Sequence, residues 1–569
     1  MDIKEAIGVA RGEKPVDLLI ENAQLINTLS GEIHPADIAV YQDTIVGLGQ
    51  YEAKEKIDVK NRYVCPGLIE GHIHIESSLL NPIEFLNVVA KHGTSAVVCD
   101  PHELANVHGK QGIEYLLQVT QNCPVSLYIM VPSCVPATDL ETSGGEITVE
   151  DINEILLEYP ERALGLAEMM NYPGVIFRDE KVIRKLQIAK DYLIDGHCPG
   201  LGGKDLNAYI LAGPSSEHEA SLLDEAREKL RKGMYLMIRE GSTAKNLKEL
   251  VPLFKDTISS RISFVTDDRH ADELDSVGHL DYTIREAIRQ GLDPVRAVQA
   301  TTIQTAEYFG LKGRGAIAPG YKADFIILND LDSFDINIVY LNGEKLSSQS
   351  FGNQSTAKLP LSMNLPELKR DTLHIPYPDS GTCQAKAIQI VPGQIVTQKR
   401  LIHPLKKDSL AWPDPEQNQA KLAVIERHHQ TGNIGLGFVS GLGLSCGAIA
   451  STVAHDSHNL ILAGIEDQDM ILAARVVNEM KGGFTVIRNG TTLAKLPLSL
   501  GGLMSKADVQ EVSSELTMIN KAVLELGCPE ELNVFMILSF LALPVIPEIR
   551  LTDMGLVDVN QFTLTDLWE

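Results

Sequence analysis

Residues 63–74 read YVCPGLIEGHIH, an apolar run that ends in two histidines two positions apart. Along a β-strand successive side chains alternate between faces, so a strand here sends His72 and His74 to the same side. One metal ion can take both imidazoles. On its own the pair is equally compatible with two structural histidines, so the reading depends on the rest of the chain.

Seven further apolar runs follow between residues 94 and 270, and polar residues end each of them. Segments of helical period lie between the runs, which is the pattern of a parallel α/β fold. Eight such runs predict an α/β protein built on a (β/α)8 barrel over residues 65–310. The sixth strand is predicted in AYILAGPSSEH, residues 208–218, and a single helix in VRAVQATTIQTAEYFG, residues 295–310.

Short alternating segments flank the barrel on both sides. Residues 17–64 and the stretch after residue 310 carry strand-and-turn patterns, so residues 1–64 plus 311–370 are predicted to form one small β-sandwich domain. A Pro, Ser and Asp-rich stretch at residues 376–383 indicates a boundary. Residues 371–569 are therefore predicted to form an extra C-terminal domain of mixed α/β structure.

The charge balance limits the class of partner. With 76 acidic and 50 basic residues the formal net charge is −26, which disfavours nucleic acid and anionic membrane surfaces as partners. The eight cysteines include no C-x-x-C pair, which argues against a zinc ribbon and favours reduced thiols. The longest apolar stretch, residues 534–543, is about half a bilayer span. A cytoplasmic location is predicted.

Four more polar residues end other predicted strands: Glu168, His197, His218 and Asp267. In a (β/α) barrel the carboxyl ends of the strands form the active-site face, so these residues should meet the histidine pair. Six ligands exceed the needs of one tetrahedral ion, and a carboxylate at Glu168 can bridge two ions ~3.5–4 Å apart. Imidazole with carboxylate favours two divalent ions, manganese or ferrous iron, with zinc also compatible.

Five motifs carry a resemblance to a known family. PGLIEGHIHIESS (66–78), CDPHELANV (99–107), GLAEMMNYPGV (165–175), DGHCPGL (195–201) and TDDRHADEL (266–274) resemble the adenine deaminase family of the amidohydrolase superfamily, over nearly the whole chain. The order His-x-His, bridging acid, His, His, Asp is that of the superfamily. Many members carry a carboxylated lysine as the bridging group, whereas this chain offers Glu168, which disfavours dihydroorotase and hydantoinase.

The resemblance implies a metal-dependent hydrolase that acts on a C–N bond. A hydroxide activated by two metal ions would convert adenine to hypoxanthine and ammonia in purine salvage. Asp267 would move the proton, with Glu168 as the second catalytic carboxylate; Asp268 is the alternative for the last ligand. Candidates for the acid that protonates the ring, for substrate contacts or for orienting a ligand imidazole are Glu76, His102, Glu103, Asp268, Arg269 and His270. Pairing into a homo-oligomer is also expected.

Two other functions remain open at this point. The same metal pair supports other amidohydrolase reactions, such as deacetylation of an amino sugar or hydrolysis of a cyclic amide. An inactive scaffold is the second alternative, although such chains usually lose ligands. The C-terminal region adds histidines at 428, 429, 455 and 458. They are either surface or structural residues, or one of them reaches the active site because this region caps the barrel.

Overall fold

The structure is a computed structural model that describes residues 2–242, 244–256, 259–347, 349–351, 357–379, 383–392 and 394–569. The chain begins with one helix and five strands: α1 (Ile3–Ala10), β1 (Val16–Asn27), β2 (Glu32–Tyr41), β3 (Thr44–Leu48), β4 (Ala53–Asp58) and β5 (Tyr63–Pro66).

Strands and helices then alternate through the central part of the chain. They are β6 (Leu68–Ile73), α2 (Pro82–Lys91), β7 (Thr94–Cys99), α3 (His102–His108), α4 (Lys110–Val119), β8 (Ser126–Val131), α5 (Val149–Glu158), β9 (Ala163–Met169), α6 (Tyr172–Phe177), α7 (Glu180–Ile188), β10 (Leu193–Gly196), α8 (Gly203–Leu211), β11 (Ser216–Glu217), α9 (Leu223–Arg231), β12 (Tyr235–Arg239), α10 (Leu247–Leu250), α11 (Pro252–Asp256), β13 (Ile262–Val265), α12 (Ala271–Ser276), α13 (Leu280–Arg289), α14 (Pro294–Ala300) and α15 (Ile303–Tyr308). A short 3₁₀ turn, Ile75–Ser78, follows β6.

The remaining elements follow in two groups. The first is β14 (Phe325–Asp330), β15 (Asp335–Leu341) and β16 (Glu344–Lys345). The second is β17 (Ala385–Ile390), β18 (Thr397–Ile402), β19 (Leu405–Lys407), β20 (Leu410–Trp412), a 3₁₀ turn Pro415–Gln417, β21 (Gln419–Ile425), β22 (Ile434–Ser440), β23 (Ala448–Ser451), β24 (Leu460–Gly464), α16 (Asp467–Met480), β25 (Gly483–Arg488), β26 (Thr491–Pro497), α17 (Val509–Glu525), α18 (Val534–Phe540), β27 (Ile549–Thr552), β28 (Gly555–Asp558) and β29 (Thr563–Leu564).

The central strands form two parallel sheets. One has the order β10-β9-β8-β7-β6 and the other β11-β12-β13. A parallel bridge pairs Ile73 with Asp267, and the Ser215 amide donates to the Ile194 carbonyl at 2.9 Å, so the sheets meet at both ends. Inward-facing residues such as Val98 and Met237 are buried in one core between the strands. All eight strands therefore point their carboxyl ends to the same side.

The flanking segments share one eight-stranded sheet with the order β16-β15-β14-β5-β1-β2-β3, in which β4 also pairs with β1. The strands β14 and β5 are antiparallel neighbours although a barrel's length of chain separates them. These strand pairings describe a single mixed sheet. They do not identify the second sheet that a β-sandwich requires. The sandwich therefore stays a prediction.

The C-terminal region forms a separate domain around an eight-stranded sheet with the order β18-β17-β22-β21-β24-β23-β25-β26. It contacts the loops that follow the central strands: for example, the Ser505 amide donates to the Leu79 carbonyl at 2.7 Å, and the Thr142 hydroxyl donates to Asp553 at 2.6 Å. Of the predicted boundary stretch, residues 380–382 lie outside the described residues. Among the described residues, no helix combines the length and apolar composition needed to cross a membrane.

Two local predictions are wrong. Residues 208–211 of the predicted sixth strand belong to α8, and only Ser216–Glu217 is strand, because a short apolar run does not distinguish helix from strand by periodicity. The predicted single helix after residue 294 is two helices, α14 and α15. The Thr301 carbonyl accepts from the Ile69 amide of β6 at 2.7 Å, and the Thr302 hydroxyl bonds back to Val298, so the helix breaks there.

A buried ion pair joins the flanking sheet to the central strands, and its removal should destabilise the protein. Arg314 lies 2.6 Å from Asp324 and also donates to the Ser126 hydroxyl, and both charged side chains are less than a tenth exposed. The substitution Arg314→Met leaves a buried carboxylate unpaired, which should lower the free energy of unfolding by about 3–5 kcal/mol in a denaturant titration. The matched control is Lys56→Met, which breaks the exposed pair with Glu21 and should cost at most about 1 kcal/mol. Equal stabilities of the two variants would contradict this prediction.

Candidate active site

All six predicted ligands lie together at the carboxyl ends of the central strands. His72 lies in β6 with His74 just beyond it, Glu168 lies in β9, and the other three follow the ends of β10, β11 and β13. Their side chains are mostly buried; His197, with 24% of its side chain exposed, is the most accessible. The convergence expected from strand position is therefore found in the structure.

The Asp267 carboxylate contacts the histidine pair, His72 and His74. Its Oδ1 lies 3.3 Å from His72 Nε2 and 3.2 Å from His74 Nε2. The backbone fixes this geometry, because the Asp267 amide donates to the His72 carbonyl and the His74 amide donates to the Asp267 carbonyl. Asp267 also has a positive φ of 60°, so the chain turns sharply at the end of β13 and directs this carboxylate toward the histidine pair.

The Glu168 carboxylate lies between His74 on one side and His197 and His218 on the other. Oε1 is 3.4 Å from His74 Nε2, while Oε2 is 3.1 Å from His218 Nε2 and 2.6 Å from His197 Nδ1. The imidazoles of His72 and His218 stack with their centroids 4.1 Å apart. One carboxylate thus contacts histidines from three different strands, which is the position a bridging ligand requires.

The donor set fits divalent cations. The ligand atoms of His72, His74 and Asp267 all lie within 4.8 Å of one another, as do those of His72, Glu168 and His218. His72 Nε2 is buried and lacks a hydrogen-bond partner among the described residues, which is unfavourable unless another group takes that lone pair. Buried imidazoles beside carboxylates are the ligands of manganese, ferrous iron and zinc sites.

Both central carboxyl groups are held in the charged form. Burial acts to raise the pKa of Glu168, but the neighbouring His218 and His197 outweigh it and hold the pKa well below the ordinary value. Burial also acts to raise the pKa of Asp267, and here the adjacent imidazoles of His72 and His74 lower it well below its usual range. Two negatively charged carboxylates at the centre of the site favour the binding of cations there.

Two acidic or basic residues of the site were not predicted from the sequence. Arg239, at the end of β12, lies 2.8 Å from Asp267 Oδ2 and also binds Glu219. Glu219 Oε1 is 3.6 Å from His218 Nε2. The sequence positions of both residues could have indicated a place in the site, because Arg239 ends a predicted strand and Glu219 follows a predicted ligand.

A buried lysine positions the loops that carry His197 and His218. Lys229 is fully buried, donates to the Cys198 carbonyl at 2.7 Å and lies 3.3 Å from Glu217. The Glu217 carboxylate in turn accepts from the Cys198 amide at 3.0 Å. Because Cys198 follows His197 and Glu217 precedes His218, this one ion pair ties the two ligand loops together.

Three of the predicted substrate-contact candidates lie beside the ligands. His102 Nδ1 is 3.5 Å from Glu168 and 3.3 Å from Asp100, so this imidazole belongs to the same cluster as the ligands. Glu76 is buried, accepts from the Leu104 amide at 3.0 Å, and its pKa is raised to about 7, chiefly by burial. The Glu103 carboxylate is turned toward the C-terminal domain.

The other three candidates differ in where they point. Asp268 and His270 line a cavity at the mouth of the site, and Asp268 accepts from the Ser77 hydroxyl at 2.5 Å. Arg269 is buried elsewhere, with its guanidinium 3.2 Å from Glu273 and 5.0 Å from the Tyr282 ring centroid. The contacts of Arg269 are thus those of a structural residue.

The C-terminal domain brings two histidines to this region. His455 Nδ1 lies 2.6 Å from Glu103 Oε1, and His458 Nε2 contacts the other oxygen of the same carboxylate. Two other histidines of that region, His428 and His429, bind backbone carbonyls of Ser457 and Ser143 instead. The hypothesis that this domain covers the barrel mouth and supplies a histidine there agrees with the position of His455.

Comparisons with known proteins agree with these observations. A family model described as "Amidohydrolase family" matches residues 63–346, and one described as "Adenine deaminase C-terminal domain" matches residues 394–563. A protein of Oleidesulfovibrio alaskensis named adenine deaminase is 50% identical over 99% of this chain and 98% of its own length. One from Dehalococcoides mccartyi with the same name is 46% identical over 99% of both chains.

Among solved structures, a crystal structure of an adenine deaminase is similar to 58% of this chain and 100% of its own, at 19% identity and a TM-score of 0.45. The full-length relatives decide the family, since their identity is high and covers nearly every residue of both chains. This chain therefore belongs to the adenine deaminase family, with an amidohydrolase fold and a separate C-terminal domain.

Proposed function

We propose that this protein is an adenine deaminase, a hydrolase that converts adenine and water to hypoxanthine and ammonia in purine salvage. The observation that carries the proposal is the contact of Glu168 with histidines of three strands, in a chain whose full-length relatives bear that name. In the reaction a C6–O bond forms, the C6–N6 bond breaks, and the amine leaves as ammonia.

The six ligands would hold two divalent cations. His72, His74 and Asp267 would hold one, His197 and His218 the other, and Glu168 would lie between them. We propose manganese or ferrous iron, with zinc as an alternative, because imidazole and carboxylate accept all three. When bound, such ions act as Lewis acids and lower the pKa of water from ~15.7 toward ~7, which supplies hydroxide at neutral pH.

Asp267 is the proposed proton carrier. Arg239 binds Oδ2 and leaves Oδ1 on the side of the histidine pair, so the carboxylate is fixed in orientation. A carboxylate held there accepts a proton from the attacking water and passes it to the leaving amine. Asp268 remains the alternative last ligand, but its contact with Ser77 turns it toward the mouth cavity.

The substrate-binding proposal covers the six candidates named from the sequence. Asp268 and His270 are supported by their place on the cavity wall, and His102 by its distance of 3.5 Å from Glu168. Glu103 is supported by its contact with His455 of that wall, and Glu76 by its burial two residues after His74. Arg269 gains no such support. We propose Glu76 as the acid that protonates the purine ring, because one of its oxygens is buried without a partner among the described residues.

Several further features are proposed on the same basis. The two parallel sheets would close as a full (β/α)8 barrel through the contacts at Ile73 and Ser215. The barrel domain would span residues 65–310. Residues 1–64 plus 311–370 would form the small β-sandwich domain, and residues 371–569 the C-terminal domain. The protein would act in the cytoplasm as a homo-oligomer that binds neither nucleic acid nor membranes. Exposed Phe177 and Leu211 support a subunit contact.

The activity itself is tested by incubating manganese-reconstituted protein with adenine. We expect stoichiometric release of ammonia and hypoxanthine, measured by a coupled ammonia assay and by the ultraviolet spectrum of the product. A parallel panel contains an N-acetyl amino sugar and cyclic amides. Turnover of one of those compounds in place of adenine would contradict the proposed function and favour another amidohydrolase reaction.

The role of Asp267 is tested by Asp267→Asn. This change keeps the size of the side chain but removes the proton acceptor, so kcat should fall by about 10²- to 10⁴-fold while some metal remains bound. Ammonia release and metal content are measured on the same sample. Asp275→Asn, an exposed residue of the following helix, is the control and should retain full activity. Normal kcat in Asp267→Asn would remove Asp267 from proton transfer.

The role of Glu168 is tested by metal content alone. In Glu168→Gln the neutral amide should bind cations poorly, so the protein should hold one equivalent or less of manganese where the unchanged protein holds two. Inductively coupled plasma mass spectrometry after dialysis gives the stoichiometry. Glu161→Gln, exposed just before the same strand, is the control. Two equivalents retained in Glu168→Gln would show that this carboxylate does not bridge.

A further inference from the structure

A cavity lies between the loops of the central strands and the C-terminal domain. Ser77, Asp268 and His270 line it on one side, and His455, Phe535 and Phe540 on the other. The proposed ligands do not line it, but two of its wall residues are linked to them: Asp268 follows Asp267 directly, and His455 contacts Glu103, which lies 3.5 Å from His102. A substrate that reaches the ligands through this cavity must therefore touch the C-terminal domain.

His455 is held firmly at the wall of this cavity. Its Nδ1 lies 2.6 Å from the buried carboxylate of Glu103, its amide donates to the Ser539 carbonyl at 3.0 Å, and its ring stacks on Phe540 with centroids 4.8 Å apart. The imidazole is thus fixed by one ring nitrogen, one ring face and the backbone. An orientation set by three contacts is what a residue that selects a ligand requires.

The second oxygen of Glu103 is used by His458. The Ala454 amide donates to His458 Nδ1 at 3.2 Å, so the ring proton of His458 is on Nε2, which faces Glu103. The low pKa of His458, about 4, agrees with this neutral form and results from burial. Both carboxylate oxygens of Glu103 therefore bind imidazoles of the C-terminal domain, and His455 cannot rotate without losing its partner.

The opposite ring nitrogen of His455, Nε2, is left for a ligand. The described residues make no hydrogen bond to it, and 15% of the side chain is exposed. Burial acts to lower the pKa of His455, but Glu103 outweighs this and raises it to about 9, which favours the form with a proton on both ring nitrogens. His455 accordingly presents an N–H donor beside the aromatic ring of Phe540.

We infer that His455 of the C-terminal domain is a specificity-determining residue, whose Nε2 donates a hydrogen bond to a ring nitrogen of a planar heteroaromatic base bound in this cavity. This inference rests on the proposed deaminase function and adds the group that recognises its substrate. A flat base can pack against the apolar wall that includes Phe535 and Phe540, and its ring nitrogens offer lone pairs in the plane of the ring. A saturated sugar ring can also accept a hydrogen bond, but it has no flat aromatic face to pack there.

Two substitutions separate substrate recognition from support of Glu103. In His455→Asn the amide can replace Nδ1 and keep the Glu103 contact, but nothing reaches the position of Nε2. In His455→Gln the longer side chain brings an amide N–H to the position of Nε2. We expect KM for adenine to rise about tenfold in His455→Asn, with kcat changed less than threefold, and to rise clearly less in His455→Gln.

Substrate analogues identify the acceptor. Adenine analogues in which one ring nitrogen is replaced by C–H are compared with adenine as inhibitors of the unchanged protein and of His455→Asn. The analogue that lacks the recognised nitrogen should bind both proteins equally, whereas the other analogues should bind His455→Asn about tenfold more weakly. His429→Ala, an exposed histidine of the same domain, is the control and should leave KM unchanged.

The outcomes distinguish this inference from the function on which it rests. If the unchanged protein releases no ammonia from adenine, the proposed function is wrong and the substrate contact is wrong with it. If the unchanged protein is active but His455→Asn keeps its KM within twofold, only the inference is wrong. A loss of equal size in His455→Asn and His455→Gln, with a lowered melting temperature in both, would also overturn it, since that pattern indicates a structural role.

Discussion

The structure of the site depends on one buried carboxylate, Glu168. A buried charge is costly unless opposite charges or hydrogen bonds compensate it, and here the compensating groups are imidazoles from β6, β10 and β11. Each imidazole is itself carried by a strand of the central sheets, so the electrostatic demand of one side chain fixes the relative positions of three strands. The position of the second carboxylate, Asp267, follows from the same arrangement, because its backbone pairs with β6.

Much of this arrangement was predictable from the sequence, because it depends on position along strands. His72 and His74 follow from strand alternation, and Glu168, His197, His218 and Asp267 from the rule that polar residues at the carboxyl ends of parallel strands meet. Arg239 obeys the same rule, but an arginine does not bind a cation, so a pattern of metal ligands does not include it; its partner is the Asp267 carboxylate.

Other features were out of reach for physical reasons. AYILAGPSSEH is apolar over four residues that suit helix and strand alike, and only the tertiary contacts of Tyr209, which donates to the Met169 carbonyl, decide for helix. The break at Thr301 depends on a carbonyl captured by a strand more than two hundred residues earlier in the chain. The link between Glu103 and the C-terminal histidines is a contact between domains, which a local sequence pattern does not predict.

The parallel bridge between Ile73 and Asp267 has a consequence for the order in which the site forms. During synthesis the first two ligands emerge nearly two hundred residues before the last one, and the chain cannot assemble the complete donor set until β13 has paired with β6. Pairing over such a sequence separation is slow compared with local folding. Metal loading at the proposed ligands would therefore be a late event in the maturation of the chain, because the histidines His72 and His74 are synthesised well before their partner Asp267.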